Sequence, residues 1–142
     1  MGLARVVHST MEPEPAARSV VTGWTDGTLR ILSRGEIPHT HKTVALGGGR
    51  PDNIRDAPDG KLLITLQAGT VADVFNCTND PVCRVGFKVL RDDPASAQLE
   101  TLLDEPTNPV FGGASSAIIV GKELWVGTFQ GNRIARYPLR SE

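Results

Sequence analysis

Apolar and polar residues alternate along this chain in short runs, and Gly or Pro interrupts nearly every run. The stretches 19–24, 28–33, 43–46, 61–67, 70–75, 85–90, 114–120, 123–129 and 133–137 are rich in β-branched or aromatic residues and read as strands. Tight-turn signals join many of them. Asp26-Gly27 is a strong hairpin turn, because both positions favour positive φ. Asp59-Gly60 and Gly131-Asn132 are of the same kind, and Gly121-Lys122 is a weaker version. No segment sustains a 3.6-residue apolar period with caps, so helices should be few. A short helical turn is expected around 94–102. The pattern predicts an all-β chain.

The strands also repeat. Residues 21–31, 63–73 and 125–135 each read as an apolar strand, a Gly-containing turn and a second strand. The second and third units have a preceding strand, at 53–57 before Asp59-Gly60 and at 115–120 before Gly121-Lys122. This is the order of a four-stranded antiparallel meander, the blade of a β-propeller, at roughly 40–50 residues per blade. The same spacing fits an ordinary antiparallel sandwich. On the propeller reading residues 19–142 form a partial β-propeller of about three blades, and residues 1–18 are an N-terminal segment of no assigned structure. Propellers typically close with about 4 to 8 blades. The predicted object is therefore an open arc with apolar terminal faces that self-associates to complete a ring.

Composition narrows the function classes. The 142 residues are 39 % hydrophobic and 22 % charged, ordinary for a soluble globular chain. Fifteen Lys and Arg oppose sixteen Asp and Glu, and no basic stripe calls for nucleic acid or an anionic membrane. No apolar run nears the roughly 18 residues of a membrane span. The N-terminus lacks a signal-peptide core, which gives a cytoplasmic expectation. Cys77 and Cys83 bracket a polar, turn-rich loop and could pair in an oxidising compartment. In the cytoplasm they read as two reduced cysteines in a surface excursion. Cys-x5-Cys without a second pair is a poor zinc site. Asn76-Cys77-Thr78 matches a glycosylation sequon, which means little without a secretory signal.

Two stretches favour the propeller. Gly49-Arg50-Pro51-Asp52-Asn53-Ile54, followed by Pro58-Asp59-Gly60-Lys61-Leu62-Leu63-Ile64, resembles the start of a blade in the six-bladed calcium propellers: paraoxonases, gluconolactonase and regucalcin, and strictosidine-synthase-like proteins. Gly112-Gly113-Ala114-Ser115-Ser116-Ala117, followed by Gly121-Lys122-Glu123-Leu124-Trp125-Val126-Gly127-Thr128, resembles the last blade of the paraoxonase and strictosidine-synthase-like branches. The resemblance covers residues 47–139 and implies the C-terminal part of such a propeller. It implies that Asp52 and Asn53 supply oxygen ligands to a calcium ion on the propeller axis, with Glu14 a weaker third candidate. Calcium takes about six to eight oxygen ligands, and carboxylates and Asn carbonyls suit it. In this family the ion polarises a carbonyl or phosphoryl oxygen and organises the attacking water.

The implied function is a calcium-dependent lactonase- or esterase-type hydrolase, present here as an incomplete fragment and acting on a small lactone or ester. The alternatives are a non-catalytic propeller-type binding module and an inactive product of a truncated gene. The family's catalytic histidine has no match, because His8, His39 and His41 lack its surrounding residues. His39 and His41 could share one strand face and chelate a metal, but a solvated loop after Pro38 accounts for them. Ser115 and Ser116 lack a nucleophile elbow and a His–acid partner, and read as small residues near a crowded axis. Trp24, Trp125 and Phe129 read as blade-to-blade core, and Asp92-Asp93 and Asp104-Glu105 as solvated turns.

Overall fold

The computed structural model describes residues 6–7, 18–33, 40–96 and 98–140. Three antiparallel sheets follow one another along the chain. The first holds β1 (Val6–Val7), β2 (Arg18–Gly23), β3 (Thr28–Ser33) and β4 (Thr40–Ala45). The second holds β5 (Arg50–Asp56), β6 (Leu62–Gln67), β7 (Phe87–Asp93) and β8 (Gln98–Glu105). The third holds β9 (Ala114–Val120), β10 (Glu123–Thr128) and β11 (Ile134–Pro138). In each sheet the spatial order of the strands is their chain order. The fold is thus mostly β, a set of up-and-down meanders forming a partial β-propeller, the one of the two architectures left open by the strand pattern that the resemblance favours. The third sheet has three strands among the described residues, not the four expected, and the segment 1–18 contributes β1 to the first sheet.

The hairpins rest on their turn residues. Between β2 and β3 the Asp26 carboxylate accepts from the Thr28 N–H and hydroxyl, at 3.2 and 2.6 Å. Gly27 closes this turn at φ 69°, where a side chain would stand 2.9 Å from the Gly49 carbonyl oxygen.

Two apolar seams join the sheets. All six residues of β6 are buried, because the middle sheet is covered on both faces and its inner strands need no polar side. Leu62, Ile64 and Leu66 pack with Val20, Leu29, Leu46, Ile54 and Leu90 against the first sheet. Leu63 packs with Phe87, Val89, Phe111, Ala117, Leu124 and Val126 against the third. Burying each such Leu, Ile or Phe contributes about 1.5–3 kcal/mol.

Several expectations are corrected. Residues 70–75 form no strand; helix α1 (Val71–Cys77) occupies the site, so the second repeat is not a hairpin at this point. A capping box overrides the β-branched composition: the Thr70 hydroxyl accepts from the Asp73 N–H at 3.1 Å, and the Asp73 carboxylate accepts from the Thr70 N–H at 2.8 Å. The Thr70 hydroxyl, which also donates to the Asp73 carboxylate at 2.7 Å, and then the Thr70 N–H hold the Asp73 carboxyl below its usual range. The return strand β7 runs to Asp93 instead of ending at 90. The helical turn expected at 94–102 is a tight turn leading into β8, because the Asp93 carboxylate accepts from the Ala95 N–H at 2.9 Å and β8 pairs along β7.

Four side-chain expectations also change. Asp92 is not a solvated turn residue but is 1 % exposed on β7, opposite Leu62, facing the first sheet. Burial, reinforced by Asp93, pushes its carboxyl up against the pull of Lys42, and Oδ1 has no hydrogen-bond partner among the described residues. Asp104 and Glu105 lie on β8, where Asp104 pairs with Lys88 at 3.0 Å. Trp125 is not core: its ring lies under the Arg136 guanidinium at 5.1 Å, and its N–H donates to Glu123 at 3.0 Å. Phe129 is also partly exposed, whereas Trp24 does bridge two sheets.

Candidate functional site

The ladder between β5 and β6 pairs Pro51 with Leu66 and Ile54 with Ile64. Asp52 and Asn53 therefore stand opposite the single residue Thr65, which is a β-bulge. A regular strand would send adjacent side chains to opposite faces. The bulge turns Asn53 toward β9 and leaves the Asp52 carboxylate beside the Asn53 and Gln67 amides, and proline tolerates this position because it has no ladder N–H to lose.

Several polar contacts tie the cluster together. Asn53 is buried, and its Nδ2 donates to the Ser115 carbonyl at 2.7 Å and approaches Asp52 Oδ1 at 3.4 Å. Gln67, at the end of β6, donates from Nε2 to the Ala114 carbonyl at 2.9 Å and approaches Asp52 Oδ2 at 3.4 Å. Its Oε1 accepts from the Trp24 indole N–H at 2.8 Å. From the first sheet the Thr22 hydroxyl donates to the Asp52 carbonyl at 3.0 Å. The Asp52 carboxylate thus sits where all three sheets meet.

Three loops gather at the same end of the sheets. The 24–27 turn carries Trp24, whose ring meets Phe75 of α1 edge-on at 5.7 Å. The β6–β7 connection carries α1 and the pair Cys77–Cys83, which is bonded, with a Cα separation of 4.8 Å. This corrects the expectation of reduced thiols in a surface excursion: Cys83 is fully buried against the third sheet, and the turn-rich loop does bring the two sulfurs together. The Cys83 N–H donates to the Gln130 carbonyl at 3.0 Å, and the Gln130 side chain donates to the Asp80 carbonyl at 2.6 Å. Gly113 sits at φ 56°, and a side chain there would stand 2.6 Å from the Cys83 sulfur, so glycine is required where the disulfide meets β9. A separate open cleft of about 440 Å³ lies between α1 and this loop, lined in part by Asp73, Asn76, Arg84 and Thr107.

Asp52 and Asn53 are neighbours on β5, and their side chains approach to 3.4 Å. Glu14, His8 and His39 lie outside the described residues, and His41 lies on β4. Ser115 contributes its main-chain carbonyl to the cluster. Among the described residues no group of three or more His, Cys, Asp or Glu is placed to hold a metal ion. A carboxylate and an amide oxygen are hard donors, the type that calcium takes. Gln67 and Thr22 were missed by the sequence reading. The available signal was a glutamine closing the buried run Leu62–Gln67, since a polar group inside such a run must find partners.

No protein-family profile matches the chain, and no curated protein matches it. Among solved structures, the chain is similar to the crystal structure of a candidate 6-phosphogluconolactonase from Bacteroides fragilis, with a TM-score of 0.45 and 17 % identity. That likeness covers 78 % of this chain, which spans 28 % of the other protein's length.

Proposed function

We propose that this chain carries the Asp52–Asn53 part of a calcium-type site belonging to a propeller hydrolase of lactones or esters. The observation that supports the reading is the bulge at Pro51/Ile54, which turns a carboxylate and an adjacent amide to one side where three sheets converge. A bound calcium ion would supply Lewis-acid polarisation of a substrate oxygen. This chain's own residues hold the Asp52 carboxylate in place and exclude water from the Asn53 and Gln67 amides. The described residues supply two side chains toward the roughly six to eight oxygen ligands calcium takes, so the chain alone should bind weakly and turn over little substrate.

A second reading is favoured by a specific observation. The Asn53 and Gln67 amide nitrogens are both bound to β9 carbonyls, as in a polar clasp between blades, and a non-catalytic propeller module needs nothing more. The third sheet leaves Ile118, Val120 and Ile134 exposed beside Trp125, a face suited to a further blade supplied by a second copy of the chain. The Cys77–Cys83 bond suits an oxidising compartment, so we place the working protein there in preference to the cytoplasm.

One experiment separates the readings: calcium calorimetry on the wild type and on Asn53→Ala, with light scattering on the same samples. The hydrolase reading expects a dissociation constant of about 10⁻⁴–10⁻³ M, weakened in the variant, and particles larger than the 15.2 kDa monomer. Identical titrations would leave the structural clasp. A monodisperse monomer would remove the second copy from the account.

A further inference from the structure

We infer that the open cleft between α1 and the disulfide-closed loop binds a small zwitterion of the α-amino-acid type, with an ammonium and a carboxylate on one carbon. Its space is about 440 Å³, within the range of small-ligand pockets. Asp52 is not among its walls, so the site stands apart from the calcium-type reading.

The walls are held by bonds that leave several side-chain ends unused. The capping box starts α1 and commits the Asp73 carboxylate to Thr70. The Cys77–Cys83 bond ties the end of α1 to the far side of the loop. Inside the loop the Asp80 N–H donates to the Cys77 carbonyl at 3.1 Å, and the Asp80 carbonyl accepts from Gln130 at 2.6 Å. The Arg84 carbonyl accepts from the Asn108 N–H at 3.4 Å. The floor carries no bulky side chain: the Ala68 N–H donates to the Gly86 carbonyl at 2.7 Å, joining the chain just past β6 to the chain just before β7. A cleft framed this way is formed before a ligand arrives, which lowers the cost of binding.

Four side chains that line it are uncommitted: Asn76, Asp80, Arg84 and Thr107 form no side-chain hydrogen bond or ion pair with the described residues. Asp80 and Arg84 have opposite charges and share one cleft, yet do not pair. Opposite charges do pair elsewhere, as in Lys88–Asp104 at 3.0 Å, Arg91–Glu100 at 2.6 Å and Arg136–Glu123 at 2.8 Å. A simple anion would satisfy Arg84 and meet Asp80 unfavourably, and a simple cation the reverse. A molecule with both charges satisfies both, its carboxylate on the planar guanidinium fork and its ammonium on the Asp80 carboxylate. Asn76 and Thr107 each offer a donor and an acceptor, which suits a polar group on the ligand's side chain. All four residues are exposed, so water screens the charges and the affinity is modest.

The test is an NMR amide-shift titration of the nitrogen-15-labelled full chain without calcium. The probes are L-glutamine, L-serine and glycine, each taken to about 20 mM, enough to saturate a millimolar site. L-Glutamine should shift the Asn76, Asp80, Arg84 and Thr107 amides with a dissociation constant of about 1 mM. N-acetyl-L-glutamine lacks the cation and L-glutamine methyl ester the anion, and each should bind about tenfold more weakly. Arg84→Gln and Asp80→Asn keep every main-chain bond, so each should weaken L-glutamine about tenfold at an unchanged melting temperature. No shift with any of the three probes overturns the inference. Equal binding of L-glutamine and either one-charge derivative also overturns it. An effect of only one of the two substitutions would reduce the ligand to a simple anion or cation, and the zwitterion would fail. None of these results bears on calcium binding at Asp52.

Discussion

The two seams of this molecule are built differently. The seam between the first and second sheets is aliphatic, with Val20, Leu29, Ile54, Ile64 and Leu66 at its centre and the buried Asp92 on the same face of the second sheet. The seam between the second and third combines large rings with small side chains. Phe87 meets Phe111 and Tyr137 edge-on at 5.6 and 6.5 Å, while Ala114 and Ala117 occupy the β9 side. Alanine keeps β9 free of bulk, so the Asn53 and Gln67 side chains can reach its main-chain carbonyls directly. At the first seam the corresponding contacts are the Thr22 hydroxyl on Asp52 and the Trp24 indole on Gln67. The difference teaches that the second seam reaches the cluster through main-chain carbonyls of β9 and the first seam through the side chains of Thr22 and Trp24.

The largest expected effect tests this directly. Phe87→Ala should cost about 3–5 kcal/mol in urea unfolding and should also lower calcium affinity, because β9 loses its aromatic support. Leu29→Ala at the first seam should cost a comparable 2–5 kcal/mol or so and leave affinity nearly intact. The comparison breaks if Leu29→Ala proves the more damaging to binding.

Next in size is the joint replacement Cys77→Ser and Cys83→Ser. Closing so short a loop stabilises by about 2 kcal/mol in the chain-entropy account. Thermal melting should show that loss at the second seam, and reductant should reproduce it in the wild type. No change under reduction would mean that the loop is held by Gln130 and Gly113 alone.

The smallest effect lies at the first seam. Asp92 has a folded pKa raised above 3.8, so the native state holds its proton more tightly than the unfolded chain. Its charge therefore destabilises the fold above the raised value, and the penalty fades as pH falls toward 3.8. Asp92→Asn should raise the melting temperature at pH 7, and the gain should shrink on acidification through that window. A gain independent of pH would assign the effect to packing, not charge.

How much was legible in advance depended on how local each interaction is. The Asp26-Gly27 and Asp59-Gly60 turns act over adjacent residues and marked their hairpins correctly. Strand β8 went unread because Gln98–Glu105 is mostly exposed and mixed in composition; its strand character comes from pairing with β7. Helix α1 carried a readable signal in Thr70 and Asp73, but the β-branched residues around it pointed the other way. Asp52 and Asn53 were singled out through a local motif. Gln67 was not, because its three contacts span 43, 47 and 15 positions and leave no local pattern. The disulfide was within reach of the spacing and was lost to an argument about compartment.

The loop from Thr78 to Val82 lies almost wholly in solvent, yet both of its ends are joined by one covalent bond. A protease cut within it would break the polypeptide without dividing the molecule. On a denaturing gel the two pieces would run as one species until reductant is added, and then as two, divided near the middle of the chain. The same five residues are accordingly the place to insert a label or an affinity tag, since the Cys77–Cys83 bond keeps the inserted sequence from prising apart the sheets on either side.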